Sequence, residues 1–429
     1  QQDDPRPPHI ALRCHRRSHA RLKHLAHLRL QPNFYRFQFH PELESRLTRE
    51  EKGVLAFFSA VSSGMLALTG VVFAIGLVVV QFSAAAYSPR LVVMFASSPI
   101  LFHTLGLFFA TFAYSLAALA WTDRGGSGTV PLFSTILVMI LLVASMLAFV
   151  KLIQGVNDLQ INNVLQLIGR RGRAVIRDMF PHLADSAAST VEETATTLYL
   201  PQAAQTLRYS GEPRVIASLD IATLVRLAQS VNAIIAIECG VGDTLVAEAV
   251  LMRVHGAANE VPEALLMRAI RLATCRTFGQ DPKYAIRLLV DIAIRALSPA
   301  VNDPTTAVQA LDQIEDLLRR LGFRQLDTGC VRDGNGAVRL TFPVSTWQDY
   351  LALSFDEIRQ FEATSVQVMR RLRAALLGLG GLIPTEDRRI AVPEHLGHLN
   401  LGIDHSGFDA LDQAAARLQD RQGLGLSRP

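Results

Sequence analysis

The chain has 429 residues, 50% of them hydrophobic and 19% charged, with a net charge of +4 when histidine is neutral. A soluble domain usually carries about 25% charge, and here the deficit is local: between Lys52 and Lys151 the charged side chains are Arg90, Asp123 and Arg124. This pattern excludes a fully soluble protein, a disordered chain and a disulfide scaffold, and it leaves the activity open.

Residues 1–52 hold eleven Arg and Lys against six Asp and Glu. A basic arm of this kind suits anionic headgroups, at roughly 1 kcal/mol per basic residue near a membrane surface. No recognised helix, finger or aromatic platform accompanies it, so nucleic acid is not an expected partner. His15 and His19 stand one helical turn apart, but no carboxylate or cysteine completes a metal set, and neither metal nor cofactor is expected. Cys14, Cys239, Cys275 and Cys330 lie far apart with no C-x-x-C, the usage of reduced thiols. The arm has no apolar signal-peptide core and the first methionine is Met65; it is read as a disordered arm or a misassigned start.

Three apolar stretches follow, at about 54–82, 99–121 and 130–153. Each exceeds the roughly 20 residues that cross a bilayer core. The polar, Gly-rich link from Thr122 to Thr129 makes the second and third an expected antiparallel hairpin. Small residues recur at helical spacing, as Ser63, Ala67, Gly70 and Ala74 in the first stretch and Gly106, Ala110, Ala113 and Ala117 in the second. Such stripes let helix backbones approach closely in lipid. Two readings stay open: a helix-packing face, or a path lined by polar positions including Ser63, Thr69, Gln81, His103, Thr111 and Tyr114, with Gly70 on the same face. No span holds an acid, Lys or Arg, which argues against a proton-coupled pump. Basic residues flank both ends of the membrane region, so charge does not fix its orientation.

Beyond Lys151 the pattern becomes amphipathic, and 156–210 is read as a helical stalk and linker. Its run Gly169-Arg-Arg-Gly-Arg173 is either a clamp for lipid phosphates or a solvated helix end. Residues 211–345 read as an α+β domain. Val215–Leu219 is an expected strand and Asp220 an expected helix cap. Ala233–Glu238 and Thr244–Val254 are expected strands about the turn Gly240-Val-Gly-Asp243. The segment resembles the β units of barrel-sandwich domains, but no lysine lies near the hairpin to carry biotin or lipoate.

Pro282 opens a helix to about Leu297, on which Arg287, Asp291 and Arg295 form a charge ladder at spacing four. Then Ser298, Pro299, Asn302, Asp303 and Pro304 make a helix–break–helix corner, with Asn302 or Asp303 as cap and Pro304 in the first turn. A helix start also suits an anion, so a ligand near Ser298, Asn302 and Asp303 is the alternative. The next helix runs to about Leu321. A strand around Val338–Phe342, one helix from about Trp347 to Leu379 and a partly helical tail complete the chain, with 346–429 as its helical carboxyl-terminal region. No nucleophile with a base, phosphate loop or zinc pattern is present, so an enzyme is not expected.

Three segments together resemble the domain-of-unknown-function 2254 family, predicted bacterial membrane proteins. They are Gln81-Phe-Ser-Ala-Ala-Ala-Tyr87-Ser88-Pro89-Arg90-Leu91, then Leu105 to Tyr114, then Asp281 to Thr306 with its Ala-Leu-Ser-Pro and Asn-Asp-Pro. The resemblance implies membrane helices followed by a cytoplasmic domain, in the bacterial inner (plasma) membrane, and it implies no activity. Family members usually carry a further span upstream, which residues 1–52 lack. The expected fold class is an α-helical integral membrane region of three transmembrane helices followed by a cytosolic α+β domain with a helical carboxyl-terminal part. The expected partners are the lipid bilayer and further copies of the chain. The expected function is an oligomeric channel- or transporter-like protein, with a membrane-anchored scaffold or sensor as the alternative.

Overall fold

The computed structural model describes residues 51–86, 99–125, 132–157, 160–184, 200–257, 259–361 and 365–425. The histidine-rich arm before residue 51 and the signature turn Tyr87, Ser88, Pro89 and Arg90 lie outside them.

Among the described residues three long helices come first: α1 (Glu51–Ala86), α2 (Pro99–Gly125) and α3 (Leu132–Asn157). Within them Gly53–Val79, Ile100–Thr122 and Leu132–Gly155 are long and apolar enough to cross a membrane. Even the shortest, 23 residues, reaches about 34 Å at 1.5 Å per residue, against a core of about 30 Å. Their buried positions keep a seven-residue repeat: Phe58, Met65 and Val72 on α1, and Val138, Ser145 and Leu152 on α3. On α2 the buried positions Thr104, Phe108, Thr111 and Ser115 step by four, three and four. That is the period of helices that pack along a shared seam.

The chain divides into two compact units, residues 1–62 with 113–140 and residues 63–112 with 141–429. The second contains an all-helical core and a β core. In the helical core, α4 (Ile161–Met179), α7 (Pro282–Leu297), α8 (Pro304–Gly322), α9 (Trp347–Phe361), α10 (Val366–Leu382), α11 (Glu386–Asp404) and α12 (Ala410–Ala416) enclose one apolar cluster. Helix α7 is buried nearly all round, from Ala285 and Ile286 through Leu288, Leu289 and Val290 to Ile292 and Ala293, so it is the axis on which the others pack.

The β core has two sheets. Strands β1 (Ala203–Arg208), β2 (Arg214–Leu219), β3 (Ile234–Ile237), β4 (Thr244–Leu245), β5 (Val250–His255), β6 (Ile270–Ala273), β7 (Cys330–Arg332) and β8 (Val338–Thr341) arrange as β1-β5-β3-β8-β7 and β4-β2-β6. Helices α5 (Ile221–Ser230) and α6 (Glu263–Arg268) belong to the same part. Ile216, Leu219 and Leu245 of the smaller sheet share a core with Ile235, Leu251, Val254 and Leu340 of the larger. Part of the expected pairing forms: β3 lies antiparallel to β5, with Ile234 opposite His255 and Ile237 opposite Met252.

Two expectations are corrected. Thr244–Val254 is not one strand: β4 pairs with β2 in the smaller sheet, and Glu248 turns the chain at φ +67° before β5 begins. Nor is Trp347–Leu379 one helix. It ends at Phe361 and restarts at Val366, where the Ser365 hydroxyl accepts from the Val368 amide (3.4 Å) and sets a new amino terminus.

Beyond α12 the chain folds back on α10. The Asp420 carboxylate accepts the amides of Gln422 (3.0 Å), Gly423 (3.0 Å) and Gly425 (2.7 Å). The Gly425 carbonyl accepts from Nη1 of Arg370 at 2.8 Å, and Arg370 is only 2% exposed.

Candidate functional site

The polar residues of the spans fall into two groups. Thr111 is buried, and its hydroxyl lies 2.9 Å from that of Ser145 on α3. In the other compact unit Ser115 donates to Ser62 (3.1 Å) and Tyr114 to Ser134 (3.4 Å). Thr69 turns back to the Met65 carbonyl at 2.7 Å. These hydroxyls tie helices and backbone together, as such groups do in lipid. Ser63, Gly70, Gln81 and His103 are exposed instead, on faces turned away from the buried seams. The six positions proposed as one face are therefore split: Thr111 points inward, Tyr114 is half-buried, and the other four point outward. The reason is angular, since Ser63, Gly70 and Gln81 sit about 150° round the helix from Met65 at 100° per residue.

The small-residue stripes point outward as well. Ala67, Ala74, Gly106, Ala110, Ala113 and Ala117 are all exposed, and a β-carbon added at Gly70 or Gly106 would meet nothing within 4 Å. A cavity of about 490 Å³ beside Leu55, Ala56, Ser59, Leu116, Leu119 and Ala120 is lined by apolar groups apart from one serine.

The helix–break–helix corner is a capping device. The Ser298 hydroxyl donates to the Arg295 carbonyl (2.7 Å), and Asp303 accepts from the Thr306 amide (3.1 Å) and hydroxyl (2.6 Å). Asn302 takes the left-handed conformation at φ +48°, and the Asp303 amide donates to the Ala296 carbonyl (2.8 Å). Pro299 lies in the turn between the helices, and Pro304 fills the first position of α8. The carboxylate of Asp303 already occupies the helix start where an anion would sit. The charge ladder reaches further than one helix. Arg287 donates to Asp291 (2.6 Å) and also to both oxygens of Glu357 on α9, one at 2.8 Å. The hydrogen bond to Glu357 leads the forces that hold its guanidinium above the ordinary arginine value.

A denser cationic site lies on α4. In the run Gly169-Arg-Arg-Gly-Arg173 the two glycines face the core. A β-carbon on Gly172 would come within 3.0 Å of Ala285 and 2.9 Å of Leu317, and one on Gly169 within 2.2 Å of Gln313. The same turns send Arg170, Arg173 and Arg177 outward in steps of three and four. With Arg320 in the last turn of α8 and Arg324 just beyond it they line a cleft of about 490 Å³, whose other walls are Ala174, Ile176, Leu183 and Phe323. Asp316 sits behind it, 2.9 Å from Arg173 and 3.1 Å from Arg320. Burial works against its charge, yet the two arginines hold its carboxyl below the usual carboxylate range. The basic run was visible in the sequence, but Arg320 and Arg324 lie some 150 residues later, and nothing local marks them as its neighbours.

Among the described residues no group of three or more His, Cys, Asp and Glu is placed to hold a metal ion.

A family described as "Predicted membrane protein (DUF2254)" matches residues 22–377. The chain belongs to this family. The DUF2254 protein is 25% identical over 375 residues to an uncharacterized protein of Mycobacterium bovis and, equally, to one of Mycobacterium tuberculosis. Each alignment takes in 85% of this chain and 70% of the relative. No solved structure matches it. The signature segment of this DUF2254 protein from Asp281 to Thr306 is the buried axis α7 with its capped corner, so its residue pattern is accounted for by packing. As a membrane protein with three candidate spans, the chain is in contact with the bilayer.

Proposed function

We propose that this DUF2254 protein is an oligomeric channel- or transporter-like protein of the bacterial inner membrane, with its carboxyl-terminal region in the cytoplasm as an assembly or regulatory part. The observation that carries this is the outward placement of Ser63, Gly70, Gln81 and His103. A hydroxyl, an amide and an imidazole, as at Ser63, Gln81 and His103, are costly when turned to hydrocarbon, and a second copy or a water-filled path that covers this face relieves the cost, with Gly70 leaving room for close approach. The inward hydroxyls are paired with one another, so a path would run between copies. With three crossings, the end of α1 and the start of α2 reach the same membrane face as residues 160–425. Gln81 and His103 would then ring the mouth on that face. No catalytic step is part of the proposal.

The test is conductance and solute flux of the purified, reconstituted protein, with Gln81→Leu and His103→Leu as comparisons. Discrete currents or flux altered by either change are expected. A verified folded oligomer that carries neither current nor flux would sink the reading. The paired interior hydroxyls favour a second reading, a membrane-anchored scaffold or sensor whose spans only locate and gather the larger domain. It predicts that Gln81→Leu and His103→Leu leave the protein's behaviour in cells unchanged.

A further inference from the structure

The arginine cleft on α4 has no role in either reading above. Five guanidinium groups line it and no acid does. Asp316 offsets part of Arg173 and Arg320 from behind. Arg177 meets Asp178 at 3.4 Å with both side chains 70% exposed, a contact that water screens. Arg324 spends Nη1 on the carbonyls of Phe180 (3.1 Å) and Pro181 (2.8 Å). Arg170 makes no hydrogen bond or ion pair among the described residues. Five cations against two acids leave the cleft strongly positive, and like charges held together in one concavity are stabilised when an anion joins them. Guanidinium forks match phosphate oxygens, two donors to two acceptors.

The walls add a second requirement. Leu183 is 64% exposed and Phe323 39% exposed beside the arginines, which leaves apolar surface next to the charge. A bare inorganic ion would leave that surface wet; an ester with an apolar portion covers it. The position is also telling. Arg170 follows the end of the third span at Gly155 by only 15 residues, so the cleft's first helix is the one next to the membrane region along the chain.

We propose that the cleft formed by Arg170, Arg173, Arg177, Arg320 and Arg324 binds a phosphate ester that carries an apolar group, supplied either by an anionic lipid headgroup or by a soluble ester. The site is independent of the transport reading and survives its failure.

The test uses the full chain in nanodiscs of phosphatidylcholine, alone or with added phosphatidylglycerol. Native mass spectrometry counts retained phosphatidylglycerol in one arm; microscale thermophoresis follows phenyl phosphate in the other. The double variant Arg170→Gln with Arg177→Gln removes two solvent-facing cations and spares the core; Arg226→Gln on α5 is the charge control. At least one probe should bind the wild type and the control, and the double variant should weaken it about tenfold or more while its melting temperature stays within a degree or two. Retention of phosphatidylglycerol alone assigns the headgroup; binding of phenyl phosphate assigns a soluble ester. If neither probe binds the wild type, or the folded double variant binds like the control, the proposal is overturned.

Discussion

Burial holds the Asp281 carboxyl above the ordinary carboxylate range, although Arg276 and Lys283 pull it down. Its Oδ1 caps α7 through the Tyr284 amide at 3.2 Å, while Oδ2 is buried without a hydrogen bond and 3.6 Å from Arg276. A raised folded value means that the folded chain holds this proton more tightly than the unfolded one. Stability from this group is therefore present at low pH and lost as pH rises from the ordinary carboxylate value through the raised one. Asp281→Asn keeps the cap and removes the charge. It should be more stable than wild type at pH 7, on the order of 1 kcal/mol, and should lose that decline when denaturation midpoints are followed against pH. Asp316 runs the other way, with stability that is present above the ordinary carboxylate value and lost as pH falls through its lowered one. Arg371 is a harder case. It is 5% exposed and donates to Asp312 (2.8 Å) and Glu315 (2.5 Å). Removing one partner of a buried pair strands the other charge, so Arg371→Met should cost about 3 kcal/mol in chemical denaturation, and Glu315→Leu added to it should recover part of that loss.

At the scale of elements, α4 is set by two glycines. Gly172 lets it lie against α7 and α8, and Gly172→Val forces side-chain carbons into Ala285 and Leu317; a loss of about 1–3 kcal/mol in thermal or chemical unfolding is expected. Elements whose signal is local were legible in the sequence. The three spans declared themselves by uninterrupted apolar length, and α7 and α8 by Pro282 and Pro304 behind the capping carboxylates Asp281 and Asp303. What escaped was set by distant partners. No local feature shows that β4 leaves its hairpin for β2, because Thr244–Leu245 and Val250–His255 share one β-prone composition and only the positive φ of Glu248 parts them. The split of the polar span residues was not legible from residue type, since Thr111 and Ser63 alike are small and hydroxyl-bearing. Which helix face turned inward was fixed by Phe58, Met65 and Val72, and that choice belongs to packing. The cleft was half legible, as Arg170 and Arg173 stand in one run with Arg177 a turn later, while Arg320 and Arg324 lie at and just beyond the end of another helix.

For the molecule as a whole, the outward stripes give the proposed assembly a direct test. Gly70→Leu with Gly106→Leu adds bulk where the chain itself has open space. The monomer should melt as before while self-association weakens by tenfold or more in native mass spectrometry from detergent; unchanged oligomers would remove these stripes from the interface. Orientation has a chemical readout in the cysteines. Cys275 and Cys330 are exposed, and the proposed orientation puts both in the cytoplasm. In intact cells a membrane-impermeant maleimide should spare Cys275 and Cys330, and label them once the membrane is opened; labelling in intact cells would reverse the orientation.

The anchoring of the 420–425 loop bears on how the protein is made. Arg370 leaves the ribosome 55 residues ahead of Gly425, the carbonyl that receives its guanidinium. Until those residues arrive, α10 carries a cation in a place built to exclude water, and the helical core around it stays incomplete. Translation runs in one direction, so closure of this core is deferred until the loop has been synthesised. A chain broken off before Asp420 lacks that acceptor, and it should unfold at lower denaturant than the full chain.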